Sequence, residues 1–151
     1  MTGGWGISSE EQSEFDEIFA VAITLGIRNK KKKAEKVKKL LDWGTKAIKP
    51  LLYTVECYIA SSSSSDEQID KRADLASDVI VQIGPKAIPT LIEIASNCHV
   101  NIYINDLARW LIKKIGDEYQ IEPIKNIHED DIYNYDLRRL LKLKLKVESD
   151  E

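Results

Sequence analysis

The sequence predicts an all-α protein, a short right-handed α-solenoid of helical hairpins with seven or eight helices. Three observations predict this fold. Apolar residues recur at helical spacing, the segments that carry them end repeatedly at a glycine, and one such unit recurs along the chain. A single helical hairpin cannot bury its apolar stripes alone, so recurring hairpins favour a stack with a shared core.

Two short segments each occur twice. DLASDVIVQIG begins at Asp74 and DLARWLIKKIG begins at Asp106, and six of their eleven positions are identical. GTKAIKPLL begins at Gly44 and GPKAIPTLI begins at Gly84, with five of nine positions identical. The second pair is separated by 40 residues and the first by 32, and the serine run at 61–65 explains the longer offset.

Each copy predicts a helix, a glycine, a short turn and a second helix with proline in its first turn. Glycine adopts the left-handed backbone that ends a helix, so Gly44 and Gly84 are each predicted to end one. Proline is tolerated in a first helical turn because its missing N–H has no partner there. A weaker third copy, GDEYQIEPIKNI, begins at Gly116 and predicts the same turn.

The predicted helices follow one another with short connections. The first begins with a capping box at Ser8 or Ser9 and ends at Gly26. The second and third cover about 29–43 and 47–60, and the last runs from about Asp131 to Lys142 or beyond. The fourth is capped by Ser65, and its predicted apolar stripe is Leu75, Ala76, Val79, Ile80 and Ile83. The next helix places Ala87, Ile88, Leu91, Ile92 and Ala95 on one face.

Composition predicts one folded domain over residues 1–151. Of these residues 43% are hydrophobic and 31% are charged. We expect a flexible leader at 1–7, a loop at the serine run 61–65 and an acidic tail at 148–151. No apolar run approaches the ~20 residues that span a bilayer, and the N-terminus lacks the pattern of a secretory signal. The sequence therefore predicts a cytoplasmic protein.

The repeats resemble the HEAT-like repeats of the bilin (phycobilisome) lyase family. The most specific stretch is IGPKAIPTLIEIA at 83–95, and the resemblance covers roughly residues 30–128. The first copy departs from the pattern at 34–36, where Ala-Glu-Lys stands in place of Asp-Leu-Ala. The resemblance implies an α-helical repeat fold that serves as a binding surface. A bilin lyase activity is a remote possibility, because no residue set to carry that chemistry is visible.

Residue types that carry catalysis or bind metals are sparse. His99 follows Cys98, but adjacent residues do not supply the contact that a Cys–His nucleophile pair needs. HEDD at 128–131 fits a helix end and the next helix start better than a metal site. Cys57 and Cys98 are predicted to be reduced and buried. We therefore predict no catalytic, cofactor-binding or metal-binding residue, and a protein that is not an enzyme.

Charge is strongly segregated along the chain. The net charge is −3, yet residues 28–49 hold ten Lys or Arg against two acids. On a helix, Lys32, Lys36 and Lys39 form a stripe, flanked by Lys31 and Lys38. The positions predicted to face the core are Ala34, Val37, Leu40 and Leu41. The stripe is either a solvated face or a contact for an anionic partner.

Two positions later in the chain are also candidates for binding. Trp110, beside Arg109, is predicted either to contact the next helix or to be an exposed aromatic anchor, and we favour the first. Asp74 and Asp106 recur in register, and we favour a structural role in which Arg72 or Arg109 pairs with one of them.

The leading prediction is a non-enzymatic scaffold that binds another protein. The alternative is a nucleic-acid-binding protein that uses phosphate contacts from the basic helix, without sequence specificity. We predict no membrane partner. The candidate binding surface is Arg28, Lys31, Lys32, Lys36, Lys38, Lys39, Arg109 and Trp110.

Overall fold

The computed structural model describes residues 9–25, 30–60, 66–97, 99–134 and 136–142. In these ranges the regular structure is entirely helical, which confirms the all-α prediction. Six helices have eight or more residues, and a seventh segment has six. They are α1 (Ser9–Leu25), α2 (Lys30–Asp42), α3 (Ile48–Ala60), α4 (Asp66–Ile83), α5 (Ile88–Ala95), α6 (Ile102–Glu118) and α7 (Leu137–Lys142).

The chain divides into two compact units, Met1–Gln82 and Ile83–Glu151. The solenoid arrangement, the count of seven or eight helices and the single domain stay predictions. Several predicted features lie outside the described residues. They are the leader at 1–7, the cap at Ser8, the helix end at Gly26, the serine loop at 61–65 with the cap at Ser65, and the acidic tail at 148–151.

In the first unit α1 packs along α2 and also contacts α3. The fully buried ring of Phe15 meets the ring of Trp43 edge to face, with centroids 5.6 Å apart. Asp16 connects α1 to α3, because its Oδ1 accepts a hydrogen bond from Thr54 Oγ1 at 3.2 Å. The same oxygen accepts one from Gln12 Nε2 at 2.8 Å.

The predicted glycine turn is present in two copies. Gly44 and Gly84 have φ of 61° and 84°, in the left-handed region. Each begins a four-residue 3₁₀ turn, Gly44–Ala47 or Gly84–Ala87, that leads into the next α-helix. That helix carries a proline in its first turn, Pro50 in α3 and Pro89 in α5.

The third copy folds differently. Gly116 lies inside α6, which continues to Glu118, so the prediction that it ends a helix is wrong. The left-handed residue is Gln120, with φ of 54°, and the Ile121 N–H then bonds the Gly116 carbonyl at 2.8 Å. A Cβ on residue 116 would overlap the side chain of Ile124. Here glycine permits close packing rather than a turn.

Short 3₁₀ turns replace the second helix of the third copy and the start of the last predicted helix. One turn, Ile124–Asn126, occupies the place of the second helix of the third copy. Another, Asp131–Tyr133, precedes α7, so the single helix predicted from Asp131 to Lys142 is wrong. The second unit is built on α5 and α6, which pack along each other, and both 3₁₀ turns lie against α6.

The apolar stripes of α4 and α5 agree with the prediction. Residues 75, 76, 79 and 80 of α4 are buried and Ile83 is half-buried. The five positions predicted for the next helix are all buried, with Ala87 in the 3₁₀ turn and the other four in α5. Among the described residues one helical stretch, Glu67–Ala95, is long and apolar enough to cross a membrane by length and composition. The left-handed Gly84 interrupts it, and 56% of its most apolar window is buried, as in the core helices of folded proteins.

Candidate functional site

The lysines of the predicted stripe on α2 differ in exposure. Lys32 and Lys39 are exposed, but Lys36 between them is half-buried. Leu40 is fully buried and Val37 and Leu41 are partly covered, as predicted, whereas Ala34 is exposed and the prediction that it faces the core is wrong. The covered side of α2 therefore includes Lys36 and leaves Ala34 outside, and α1 packs along this helix. Arg28 lies outside the described residues.

The outward face of α2 carries both signs of charge. Lys31, Glu35, Lys38 and Asp42 follow one another at spacings of four, three and four residues, and all four are exposed. Such alternation lets neighbouring turns of the helix pair their own charges. The face is therefore less positive than the lysine count of the segment suggests.

Arg109 has a structural contact in the second unit. Its guanidinium donates to the Ile132 carbonyl at 3.1 Å and so joins α6 to the 3₁₀ turn Asp131–Tyr133. The equivalent contact of Arg72 is to the Gln68 carbonyl at 3.2 Å. In both contacts the guanidinium donates to a main-chain oxygen. The expected pairing of Arg72 or Arg109 with Asp74 or Asp106 stays a prediction.

Lys113 is a buried cation that the sequence reasoning did not select. It is 8% exposed, and its Nζ lies 2.8 Å from Asp117 Oδ1. The same ammonium donates to the carbonyls of Ile124 at 3.2 Å and Lys125 at 3.4 Å. The spacing of Lys113 and Asp117 on one helix face was the available signal. Lys113 thus fastens the 3₁₀ turn after α6 to the helix.

Trp110 lies at an open cavity rather than in the core. The side chain is half-buried, and the Lys114 Nζ stands 4.8 Å from its ring centroid, which is cation–π distance. The cavity has a volume of about 390 Å³ and is also lined by Lys113, Lys114, Asp117, Glu118 and Glu129. Because Trp110 is neither fully exposed nor fully buried, the choice between a contact with a following helix and an exposed aromatic anchor stays a prediction.

Two exposed tyrosines that the sequence reasoning missed lie on α6 and on the 3₁₀ turn packed against it. Tyr103 is 41% exposed and precedes Asp106 and Trp110 by three and seven residues, so all three share one face of α6. Tyr133 is 40% exposed. Burial raises the pKa of Tyr133, and the nearby carboxylates of Asp106, Glu129 and Asp130 raise it further.

Glu129 connects the Trp110 cavity with Tyr133, because it lines that cavity and its carboxylate raises the pKa of Tyr133. We call the surface the α6 face. It consists of Tyr103, Asp106, Trp110, Lys114, Glu118, Glu129, Asp130 and Tyr133. The helical spacing of Tyr103, Asp106 and Trp110 was readable in the sequence. The place of Tyr133 on this face depends on the Arg109 contact and was not readable in the sequence.

The residues considered for chemistry lie in ordinary surroundings. His128 Nδ1 accepts a hydrogen bond from the Asp130 N–H at 3.2 Å, and its carbonyl accepts one from the Asp131 N–H at 2.9 Å, so 128–131 forms a turn. Within the ranges that the structure describes, no three His, Cys, Asp or Glu side chains are grouped to hold a metal ion. Cys57 is exposed, so its predicted burial is wrong, and Cys98 lies outside the described residues.

No protein-family model, curated protein or solved structure matches this chain. The resemblance to HEAT-like repeats therefore stays a prediction that rests on the repeated segments themselves.

Proposed function

We propose that this chain is a non-enzymatic binding module that holds a protein partner on the α6 face. The observation that carries the proposal is the half-buried Trp110 ring at the edge of an open cavity of about 390 Å³. Tryptophan and tyrosine are enriched among the residues that dominate protein interfaces, since they offer large contact areas with few rotatable bonds.

The rest of α6 supports this assignment. Its apolar side, including Ile104, Ala108 and Leu111, is fully buried. The opposite side carries the exposed Tyr103 and the half-buried Trp110, and Ile102 at the helix start is 76% exposed. An aromatic face that the protein's own core does not use is typical of a surface that another protein covers.

Two contacts hold the face in shape. Lys113 fastens the Ile124–Asn126 turn to α6, and Arg109 fastens the Asp131–Tyr133 turn. Glu129 and Tyr133 are thereby positioned beside α6 before any partner arrives. A surface ordered in advance loses less conformational entropy on binding, which favours affinity.

Site-specific photo-cross-linking tests the proposal in cells that produce the protein. A photoreactive amino acid replaces Tyr103 or Tyr133, and in a control it replaces Asp78, an exposed residue of α4. We expect cross-links to another protein from positions 103 and 133 and few from position 78. Trp110→Ala should remove them. Equal yields at all three positions, or none at 103 and 133, would contradict the proposal.

A second candidate is phosphate-mediated binding of nucleic acid by α2. The observation that favours it is the exposure of Lys31, Lys32, Lys38 and Lys39. Because Glu35 and Asp42 are exposed on the same helix, we expect weak affinity, on the order of 10⁻⁴ to 10⁻⁶ M near physiological salt. Fluorescence anisotropy with random duplexes tests it, and changing those four lysines to glutamate should abolish binding.

A further inference from the structure

We propose that the partner segment that contacts the α6 face is basic, and that it inserts a lysine or arginine side chain beside Trp110. This inference rests on the proposed function and adds the chemistry of the partner. It is drawn from three features of the face: the charge around it, the contact on the Trp110 ring and the shape of the cavity.

Negative charge predominates on the α6 face. Four exposed carboxylates surround its aromatic residues, those of Asp106, Glu118, Glu129 and Asp130. Against them the α6 face carries one cation, Lys114. Lys113 beside it is engaged with Asp117 and two carbonyls, and Arg109 with the Ile132 carbonyl. Like charges brought together across an interface are costly, so this surface disfavours an acidic partner and favours a basic one.

The Trp110 ring already stabilises a cation. Lys114 Nζ lies 4.8 Å from the ring centroid, within the ~6 Å over which the negative face of an aromatic ring attracts a cation. Lys114 is exposed and reaches the ring along a flexible stem, so a partner cation can replace it with little rearrangement. An arginine is favoured further, because its planar guanidinium also stacks on the ring.

The cavity suits a long basic side chain. Its volume of about 390 Å³ lies within the range of ~300–1,000 Å³ typical of ligand sites. Trp110 provides an apolar wall for an aliphatic stem, and Glu118 and Glu129 provide carboxylates for the charged end. Lysine and arginine commonly bind in this way, with the stem on apolar surface and the head among polar groups.

Peptide binding tests the inference directly. The probes are two capped 12-residue peptides, one alternating arginine with alanine and one alternating glutamate with alanine, measured by isothermal titration calorimetry. We expect the arginine peptide to bind and the glutamate peptide not to bind. The double variant Asp106→Asn, Glu129→Gln should weaken binding by about tenfold, and Trp110→Ala by a similar factor.

Two control variants separate a site from general charge attraction. Asp78→Asn removes one negative charge from α4, outside the α6 face, and should leave the affinity within about twofold. Lys114→Met removes the internal cation and should leave binding at least as tight. If Asp78→Asn weakens binding as much as the double variant, or if Trp110→Ala has no effect, the inference is overturned.

The remaining outcomes distinguish this inference from the proposed function. If the segment cross-linked from positions 103 and 133 contains no lysine or arginine, the protein-binding function stands and the basic partner is excluded. If no protein is cross-linked there, the function itself fails. Sedimentation equilibrium of the protein alone tests whether a second copy of this chain binds the α6 face. Self-association that Trp110→Ala abolishes would show that it does and would overturn the inference.

Discussion

The side chain of Ile124 fills the space in which a Cβ atom on residue 116 would lie. Gly116 is an ordinary helical residue of α6 and Ile124 begins the 3₁₀ turn that follows, so the two bring the turn directly onto the helix backbone. Both residues are buried. The tightness of this contact makes it the most sensitive packing position that we identify in the second unit.

We expect Gly116→Ala to lower the free energy of unfolding by about 1–3 kcal/mol, because the added methyl group overpacks the contact with Ile124. Alanine favours a helix over glycine by about 1 kcal/mol, so propensity alone predicts the opposite sign. Urea denaturation measures the change. In an Ile124→Ala background the same substitution should cost much less, and an unchanged cost there would refute the packing explanation.

Gly44→Ala and Gly84→Ala should both destabilise the protein, since each places a side chain at positive φ at a cost of about 1–2 kcal/mol. No atom lies within 4 Å of a Cβ at Gly44, whereas one at Gly84 would lie 3.1–3.3 Å from the ring of Tyr119. We therefore expect a slightly larger cost at Gly84 and a still larger one for Gly84→Val. Thermal melting measures the loss of stability. In a Tyr119→Ala background, Gly44→Ala and Gly84→Ala should destabilise the protein equally.

Lys113→Met should destabilise the second unit by about 1–3 kcal/mol, because it leaves the Ile124 and Lys125 carbonyls without the ammonium donor. The adjacent Lys114 is exposed and provides a matched control. Lys114→Met should change stability by less than about 0.5 kcal/mol. Equal effects of the two variants in chemical denaturation would show that the buried ammonium contributes nothing specific.

Tyr133 should ionise above the ordinary tyrosine value of 10.0, because burial and the nearby carboxylates raise its pKa. A raised pKa in the folded state means that the folded protein holds this proton more tightly than the unfolded chain. The resulting stabilisation is fully present below pH 10 and is lost as pH rises through the folded pKa. Phenolate absorbance is titrated in the parent and in Tyr133→Phe, and the difference gives the pKa of Tyr133. The double variant Asp106→Asn, Glu129→Gln should lower that pKa.

The features predicted correctly from the sequence depend on neighbours along the chain. The apolar stripes of α4 and α5 follow from helical spacing, and the turns at Gly44 and Gly84 follow from glycine before a proline-containing helix start. The location of α2 was also predicted to within a residue at each end. The exact side of α2 that is covered was not predicted, because it depends on how the neighbouring helices pack against α2.

The features that were missed depend on contacts between distant residues. Gly116 aligns with Gly84, but its environment is determined by Ile124, eight residues away. Burial of Lys113 depends on carbonyls eleven and twelve residues later. Likewise, Tyr133 joins the α6 face because Arg109 reaches the Ile132 carbonyl. No periodic pattern in the sequence encodes such contacts.

The three aligned glycines, Gly44, Gly84 and Gly116, restrict substitution for two different physical reasons. At position 44 the requirement is a left-handed backbone with open space around it, which asparagine also meets at modest cost. At position 116 the backbone is helical, and any side chain would have to displace Ile124. A sequence profile that treats the three glycine positions as equivalent would average a conformational constraint with a steric one. Searches for relatives of this chain should therefore score each copy with its own pattern.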